Sequence, residues 1–363
     1  MLTYSDYFIT KNASNEYFAG ANTDKGFFGE YCNLFSEDDL TKLYMIKGGS
    51  GTGKSTLISR CADVGRECGA VVTLLRCSSD PDSLDGAIIE KEGTRIAVTD
   101  ATAPHTQDPL YAGACGEIVN CGEFWCTAAL EKSRDYISHL IKEKEGAYKR
   151  AYRYLGAVRE IFEASESLAK KYLLSDKMER AQAALCKSLG ISDKKRRGKV
   201  IYRRTMGVSM KGAVRLSSFE RAGRVIAVKD GVGLLPSYLE SLLKLLVDLG
   251  ETVAVSLSPV FGIGELWAQD CDVAFVPYRE GIQYAKKVNL RRFADPVSLG
   301  DVKQRRFFAA RCTASMMEGA EESLLEAGAH HFSLERIYRD AMDFEGLSRM
   351  GDALCSTISK RLS

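Results

Sequence analysis

What the chain lacks bounds what it can be. Net charge is almost missing: 50 basic against 48 acidic residues leave +2 over 363 residues. No global field therefore draws the chain to an anionic membrane, and nucleic acid is disfavoured as a partner unless a local patch exists. No apolar run approaches the roughly 20 residues that span a bilayer. The start, Met1-Leu2-Thr3-Tyr4-Ser5-Asp6, lacks the basic-then-apolar layout of a secretory leader. Together these features predict a cytoplasmic protein without a membrane partner. No C-x-x-C pair occurs among the 11 cysteines. Their odd count in a large chain argues for reduced thiols, and Cys115, Cys121 and Cys126 match no familiar zinc spacing.

What is present is enough apolar material, 45% of residues, to fill two cores, and one sharp motif. Residues Gly48-Gly49-Ser50-Gly51-Thr52-Gly53-Lys54-Ser55 form a complete G-x-x-x-x-G-K-[ST] phosphate loop. Leu43 to Ile46 before it reads as a buried strand. Thr56 to Val64 after it has helical spacing, with Leu57, Ile58 and Cys61 on one side. Glycines let successive amides turn inward around a phosphate. Lys54 is expected to reach the β and γ oxygens, Ser55 to ligate Mg²⁺, and the helix to point its positive end at the same anion. Residues Gly48 to Thr56 are thus the candidate ATP site.

The chain also repeats itself at an offset of about 180 residues. Leu43 to Gly51 aligns with Val225 to Gly233. Ala19 to Gly26 aligns with Met206 to Gly212 with one residue lost, and the helix from Ser55 aligns with Ser237 to Leu249. In this alignment Leu235 and Pro236 replace Gly53 and Lys54, removing a flexible position, an N–H donor and the cation. A vestigial second site is expected. The predicted architecture is α/β, with two P-loop NTPase-like parallel-sheet halves, residues 1–197 and 198–363, each followed by helices.

Further residues extend the candidate site. Ile96-Ala97-Val98-Thr99-Asp100 is an apolar strand ending in a carboxylate, placing Asp100 as a second magnesium ligand and a catalytic residue beside Lys54. Its counterpart, Val273 to Val276, ends in Pro277. The segment Ser78 to Gly86 offers Asp80, Asp82 and Asp85 to activate water, hold metal or orient an acceptor; a solvated Asx turn is the equal alternative. Thr102, Pro104 and His105 follow Asp100 as a candidate γ-phosphate sensor. Residues 127–189 read as a helical arm, and Lys194 to Lys199 as a basic linker, an arginine donor or an anionic-partner patch.

With the glycine loop, Ser78-Ser79-Asp80-Pro81-Asp82-Ser83-Leu84-Asp85-Gly86, Asp100-Ala101-Thr102-Ala103-Pro104-His105, Gly122-Glu123-Phe124-Trp125 and the degenerate second half in order, the chain resembles an uncharacterised bacterial ATPase-like family with two P-loop halves. The resemblance spans nearly the whole length and implies ATP binding and hydrolysis. It supplies no substrate, and Leu235 and Pro236 depart from its two-loop pattern. The leading expectation is a Mg²⁺-dependent ATPase with one site. A small-molecule or nucleotide kinase and a non-hydrolysing switch are the alternatives. No Asn-Lys-x-Asp or Leu-Ser-Gly-Gly-Gln segment points to GTP or a transporter ATPase. Self-association and a further protein or small-molecule partner stay open.

Overall fold

The computed structural model describes residues 7–363; the segment 1–6, read above for a leader, lies outside the described residues. The chain forms an α/β structure around two six-stranded sheets of one design. The first comprises β1 (Glu16–Phe18), β2 (Lys42–Lys47), β3 (Val71–Arg76), β4 (Leu84–Lys91), β5 (Thr94–Asp100) and β6 (Gly116–Asn120), in spatial order β1-β3-β4-β5-β2-β6. The second comprises β7 (Lys199–Tyr202), β8 (Arg224–Lys229), β9 (Thr252–Ser258), β10 (Gly262–Ala268), β11 (Val273–Pro277) and β12 (Lys286–Asn289), in order β7-β9-β10-β11-β8-β12. Positions correspond one for one. In each sheet only the third strand in this order, β4 or β10, runs against the others.

The expectation of parallel-sheet halves is corrected by those strands: the sheets are mixed. Between β4 and β5 the chain reverses at Glu92 and Gly93, both at positive φ (48° and 84°), the backbone a two-residue hairpin needs. Segment β3-β4-β5 is therefore a meander, with no crossover helix. A second correction concerns the hairpins Gly20–Thr23/Gly26–Gly29 and Met206–Ser209/Gly212–Leu216. Thr23 Oγ1 donates to the Gly26 carbonyl at 2.7 Å, and Ser209 Oγ to that of Gly212 at 3.0 Å. The turns match residue for residue, and none is lost.

The sheets pack face to face. Alternation along β2 sends Leu43 and Met45 inward, where they join Ile88 and Ala97 against Ala254, Trp267, Ala274 and Val276 of the second sheet. Tyr44 and Ile46 point outward to α1 (Lys54–Glu67) through Leu57, Ile58 and Cys61. Helix α4 (Leu235–Asp248) covers the outer face of the second sheet in the same way.

The remaining helices cross over. Helix α6 (Phe344–Leu362), at the chain's end, buries Leu347, Gly351, Leu354, Ile358 and Leu362 at three- and four-residue spacing, against α1 and the first sheet. Burying its four large apolar side chains stabilises this contact by roughly 6–12 kcal/mol before entropy. Helix α3 (Ser175–Ser188) packs Met178, Leu185 and Cys186 into the core of the second sheet, and Gln182 donates to the Tyr238 carbonyl at 2.8 Å. Each half thus lends its last helix to the other. The crossings are alike: Cys126 N–H donates to Ala341 O and Asp343 N–H to Phe124 O (2.7 and 2.8 Å), while Asp295 N–H donates to Tyr172 O and Leu174 N–H to Phe293 O (2.6 and 2.8 Å). A division at residue 197 separates the two sheets in sequence but not the cores that cover them.

The arm expected over 127–189 resolves into a short helix (Thr127–Lys132), α2 (Arg134–Ala169) and α3. It does not stand free. Helix α2 lies antiparallel along α5 (Lys303–Asp340), with Arg150 paired to Glu326 and Tyr154 against Gly319. Ala151, Leu155, Val158 and Phe162 share a core with Met317, Ala320 and Leu324. In the basic run, Lys194 binds Glu251 and Asp270 at 2.9 and 3.2 Å, and Arg196 also pairs with Asp270. No helix among the described residues is long and apolar enough to cross a membrane.

Candidate functional site

The glycine loop leaves the carboxyl end of β2 and runs from Gly48 to Gly53, where α1 begins at Lys54. Gly51 and Gly53 sit at φ 71° and 77°, in the left-handed region where a side chain is strained. Among the described residues, the N–H groups of Gly49, Ser50, Gly51, Gly53, Lys54 and Ser55 have no protein acceptor, while that of Thr52 closes a turn onto Gly49. Lys54 Nζ donates to the carbonyls of Gly48 (3.0 Å) and Gly49 (2.6 Å) and lies 3.6 Å from Asp100 Oδ2. Thr52 Oγ1 donates to Gly49 O at 2.9 Å. Thr56 is exposed on the first turn of α1.

Asp100 ends β5, directly beside β2, where it pairs in register with Ile46. Its Oδ1 accepts from Thr102 N–H at 2.8 Å, and Thr102 Oγ1 donates to Gly48 O at 2.9 Å, tying the strand end to the loop. Ser55 Oγ accepts from Leu84 N–H at 2.9 Å, which draws the start of β4 to the same place. There the register slips: Leu75 faces Gly86 and Arg76 faces Leu84, so Asp85 is the extra residue of a β-bulge. Bulges re-aim side chains. The buried Asp85 carboxylate accepts from Tyr31 OH at 2.7 Å, and Tyr31 stacks on His105 with ring centroids 4.6 Å apart. One donor atom each from Asp85, Asp100 and His105 falls within 4.8 Å of the other two. Burial pushes the Asp85 carboxyl up, opposed mainly by the His105 imidazole, and burial likewise raises the Tyr31 phenol and the neighbouring Cys77 thiol.

Asp80 and Asp82 go elsewhere. Lys211 binds Asp80 at 2.8 Å and also Asp82, and Lys11 binds Asp82 at 2.5 Å. These pairs fasten the loop between β3 and β4 to the 206–216 hairpin of the second half, through Lys211, and to the strand Ile9–Lys11 that pairs with that hairpin, through Lys11. Of the three carboxylates in that segment, Asp85 is the one brought to Asp100. Its sequence signal was weak but present, since it directly precedes the strand-like Gly86-Ala87-Ile88-Ile89.

Sequence reasoning missed Tyr31 and also the roof of the loop. Helix α5, from the second half, lies on the glycines: Tyr338 packs on Gly49, and a Cβ added to Gly51 would meet the Glu335 carbonyl oxygen at 2.4 Å. His331 Nδ1 is 3.5 Å from Ser50 Oγ, and its Nε2 is 3.4 Å from Glu335 Oε1. The hydrogen bond with His331 holds the Glu335 carboxyl below its ordinary range, with smaller pulls from Arg339 and Lys54. No local pattern marks these residues, because they act across nearly 300 residues of chain.

The second loop, Asp230 to Leu234, is one residue shorter, and helix α4 starts at Leu235. Counted from the helix start, Leu235 stands in the place of Lys54 and Pro236 in that of Ser55, one position from the sequence alignment. The Asp230 carboxylate turns back into the loop. Oδ1 accepts from the N–H groups of Val232, Gly233 and Leu234 (3.0, 2.7 and 3.1 Å), and Oδ2 from Leu235 (3.1 Å). The second half has the same bulge, with Gly264 as its extra residue in place of Asp85, and Pro277 in place of Asp100. Leu235, Pro236, Gly264 and Pro277 line an apolar pocket there with Phe8 and Met206. Comparison with family models, with curated proteins and with solved structures finds no match to this chain.

Proposed function

We propose that residues 48–56 bind the phosphates of a Mg²⁺-bound nucleoside triphosphate, ATP in the first instance, and that the chain hydrolyses it at this one site. The observation that carries the reading is the contrast between two loops of one design. In the second, Asp230 supplies an internal anion to four amides. In the first, the corresponding amides of Gly51, Gly53 and Lys54 lack a protein acceptor and a lysine stands beside them. A phosphate group supplies the missing acceptors, and the positive end of α1 favours it.

The residues fit such a ligand. Lys54 would exchange its two carbonyl acceptors for phosphate oxygens. The Ser55 hydroxyl keeps a lone pair beyond its bond from Leu84, and with Asp100 it would hold Mg²⁺, which neutralises charge on the transferred phosphoryl group. Glu335, whose carboxyl His331 holds below its ordinary range, is an acid that α5 brings to the loop. A second reading, a switch with negligible turnover, draws on the same helix: anything that moves the loop must move α5 and its partner α2. The kinase alternative relied on Asp80, Asp82 or Asp85, and the first two are held in ion pairs.

Calorimetric titration with ATP in Mg²⁺ tests the reading. Wild-type chain is expected to saturate near one equivalent, and Lys54→Ala to lose at least about tenfold in affinity, or about 1.4 kcal/mol. Unchanged binding by the variant would place the site elsewhere. Two equivalents would refute a silent second loop, and release of phosphate separates the ATPase from the switch.

A further inference from the structure

We propose that Asp85, Asp100 and His105 form a binding site for a divalent transition cation of the Mn²⁺ or Zn²⁺ type, beside the glycine loop and independent of nucleotide. Donor atoms within 4.8 Å of one another leave a point no more than about 2.8 Å from all three. Small side-chain rotations bring that to the usual 2.0–2.2 Å of metal–oxygen and metal–nitrogen bonds. Two carboxylates with one imidazole suit Mn²⁺ and Zn²⁺ better than Mg²⁺, which prefers oxygen donors alone.

Independent observations point to a ligand. The Nδ1 atom of His105 is sealed from solvent and has no hydrogen-bond partner, an uncommon condition for a buried polar atom. Among the described residues, Asp85, only 4% exposed, forms no salt bridge with a lysine or arginine; Tyr31 OH donates to it at 2.7 Å and the Cys77 thiol is its other side-chain hydrogen-bonding neighbour. Buried carboxylates are ordinarily paired or bound to metal. The three side chains are also oriented from behind, as metal ligands are: Tyr31 both donates to Asp85 and stacks on His105, and Thr102 N–H holds Asp100.

The second half supplies an internal comparison. Its bulge is built the same way, so the aim of the extra residue belongs to the fold, yet Gly264 and Pro277 occupy the positions of Asp85 and Asp100. Both carboxylates are missing together in the half whose loop is filled by Asp230. That joint absence is what a shared cation site predicts. A purely structural Tyr31–Asp85–His105 network would not require Asp100.

The test uses full-length chain stripped with chelator and free of nucleotide. Mn²⁺ is titrated while free ion is followed by electron paramagnetic resonance, and Zn²⁺ and excess Mg²⁺ serve as competitors. One Mn²⁺ per chain is expected, displaced by Zn²⁺ and not by Mg²⁺ in tenfold excess. Asp85→Asn and His105→Gln should each weaken binding at least tenfold, while Asp82→Asn leaves it intact. Thermal melts in chelator check that each variant is folded, and His105 is a half-buried loop residue whose replacement tests the site even where Asp85→Asn does not fold. Lack of saturable Mn²⁺ and Zn²⁺ binding overturns the proposal, as does displacement by Mg²⁺ or binding unchanged in His105→Gln. Because this titration is run without nucleotide and the ATP titration is run in Mg²⁺, failure of one assignment leaves the other standing.

Discussion

Replacing Asp230 by alanine removes the acceptor of four N–H groups at once, and the consequence can be worked from the geometry. Val232, Leu234 and Leu235 are at most 4% exposed, so bulk solvent does not reach their amides freely when the carboxylate goes. Each buried donor left without a partner costs about 1–3 kcal/mol, and one or two waters entering the emptied space recover part of that. The positive end of α4 also loses its counter-charge. The expected loss is about 3–5 kcal/mol, in line with breaking other buried charged contacts. Asp230→Asn keeps one oxygen acceptor and should lose about half as much. Equilibrium urea unfolding, followed by far-ultraviolet dichroism and the fluorescence of Trp125 and Trp267, measures both. The same substitution should open an anion nest: sulfate at ten times its dissociation constant would return about 1.4 kcal/mol to the alanine variant and none to wild type. A loss under about 1 kcal/mol without any sulfate response would refute the view that this carboxylate substitutes for a phosphate.

Gly51→Ala places a Cβ 2.4 Å from the Glu335 carbonyl oxygen at a φ of 71°, whereas Gly69→Ala meets nothing within 4 Å at a φ of 76°. The control should cost about 1 kcal/mol of backbone strain, and Gly51→Ala about 2–4 kcal/mol because α5 must shift; equal losses in thermal melts would argue against the contact with α5. Lys11 and Lys211 hold the Asp82 carboxyl down at about 2. A depressed folded value means that the contribution is present above the ordinary 3.8 and fades as pH falls through about 2. With Asp82 58% exposed, solvent screening keeps the energy small, so the carboxyl titration by nuclear magnetic resonance is the readout. Lys11→Met with Lys211→Met should return it toward 3.8, and an unmoved titration would dissolve the assigned pairs.

Much of the first half was legible because its signals are local. A strand, a glycine loop and a helix follow one another within residues 43–64, and Asp100 sits where β5 must end beside β2. The repeat could also be read, since an apolar strand entering Lys-Gly-Gly or Lys-Asp-Gly looks alike in both halves. Its register could not: hydrogen bonds decide that α4 starts at Leu235, and the shorter loop shifts the counterpart of Lys54 by one position. Asp80, Asp82 and Asp85 look equivalent in a row of acids. A single bulge buries the last and leaves the others at the surface, where Lys211 of a distant hairpin and Lys11 bind them.

By itself, then, the order of residues determined the strand, glycine loop and helix over residues 43–64 and the repeated α/β unit, both of which depend on neighbours along the chain. Tertiary structure alone decided which sheet each terminal helix covers, that α5 roofs the first loop, that Asp230 fills the second, and that Asp85 meets Asp100 and His105. The reason is physical. An amphipathic helix specifies an apolar face but not which of two similar sheets will accept it, and a carboxylate acquires its role from the donors and ions that long-range packing places around it.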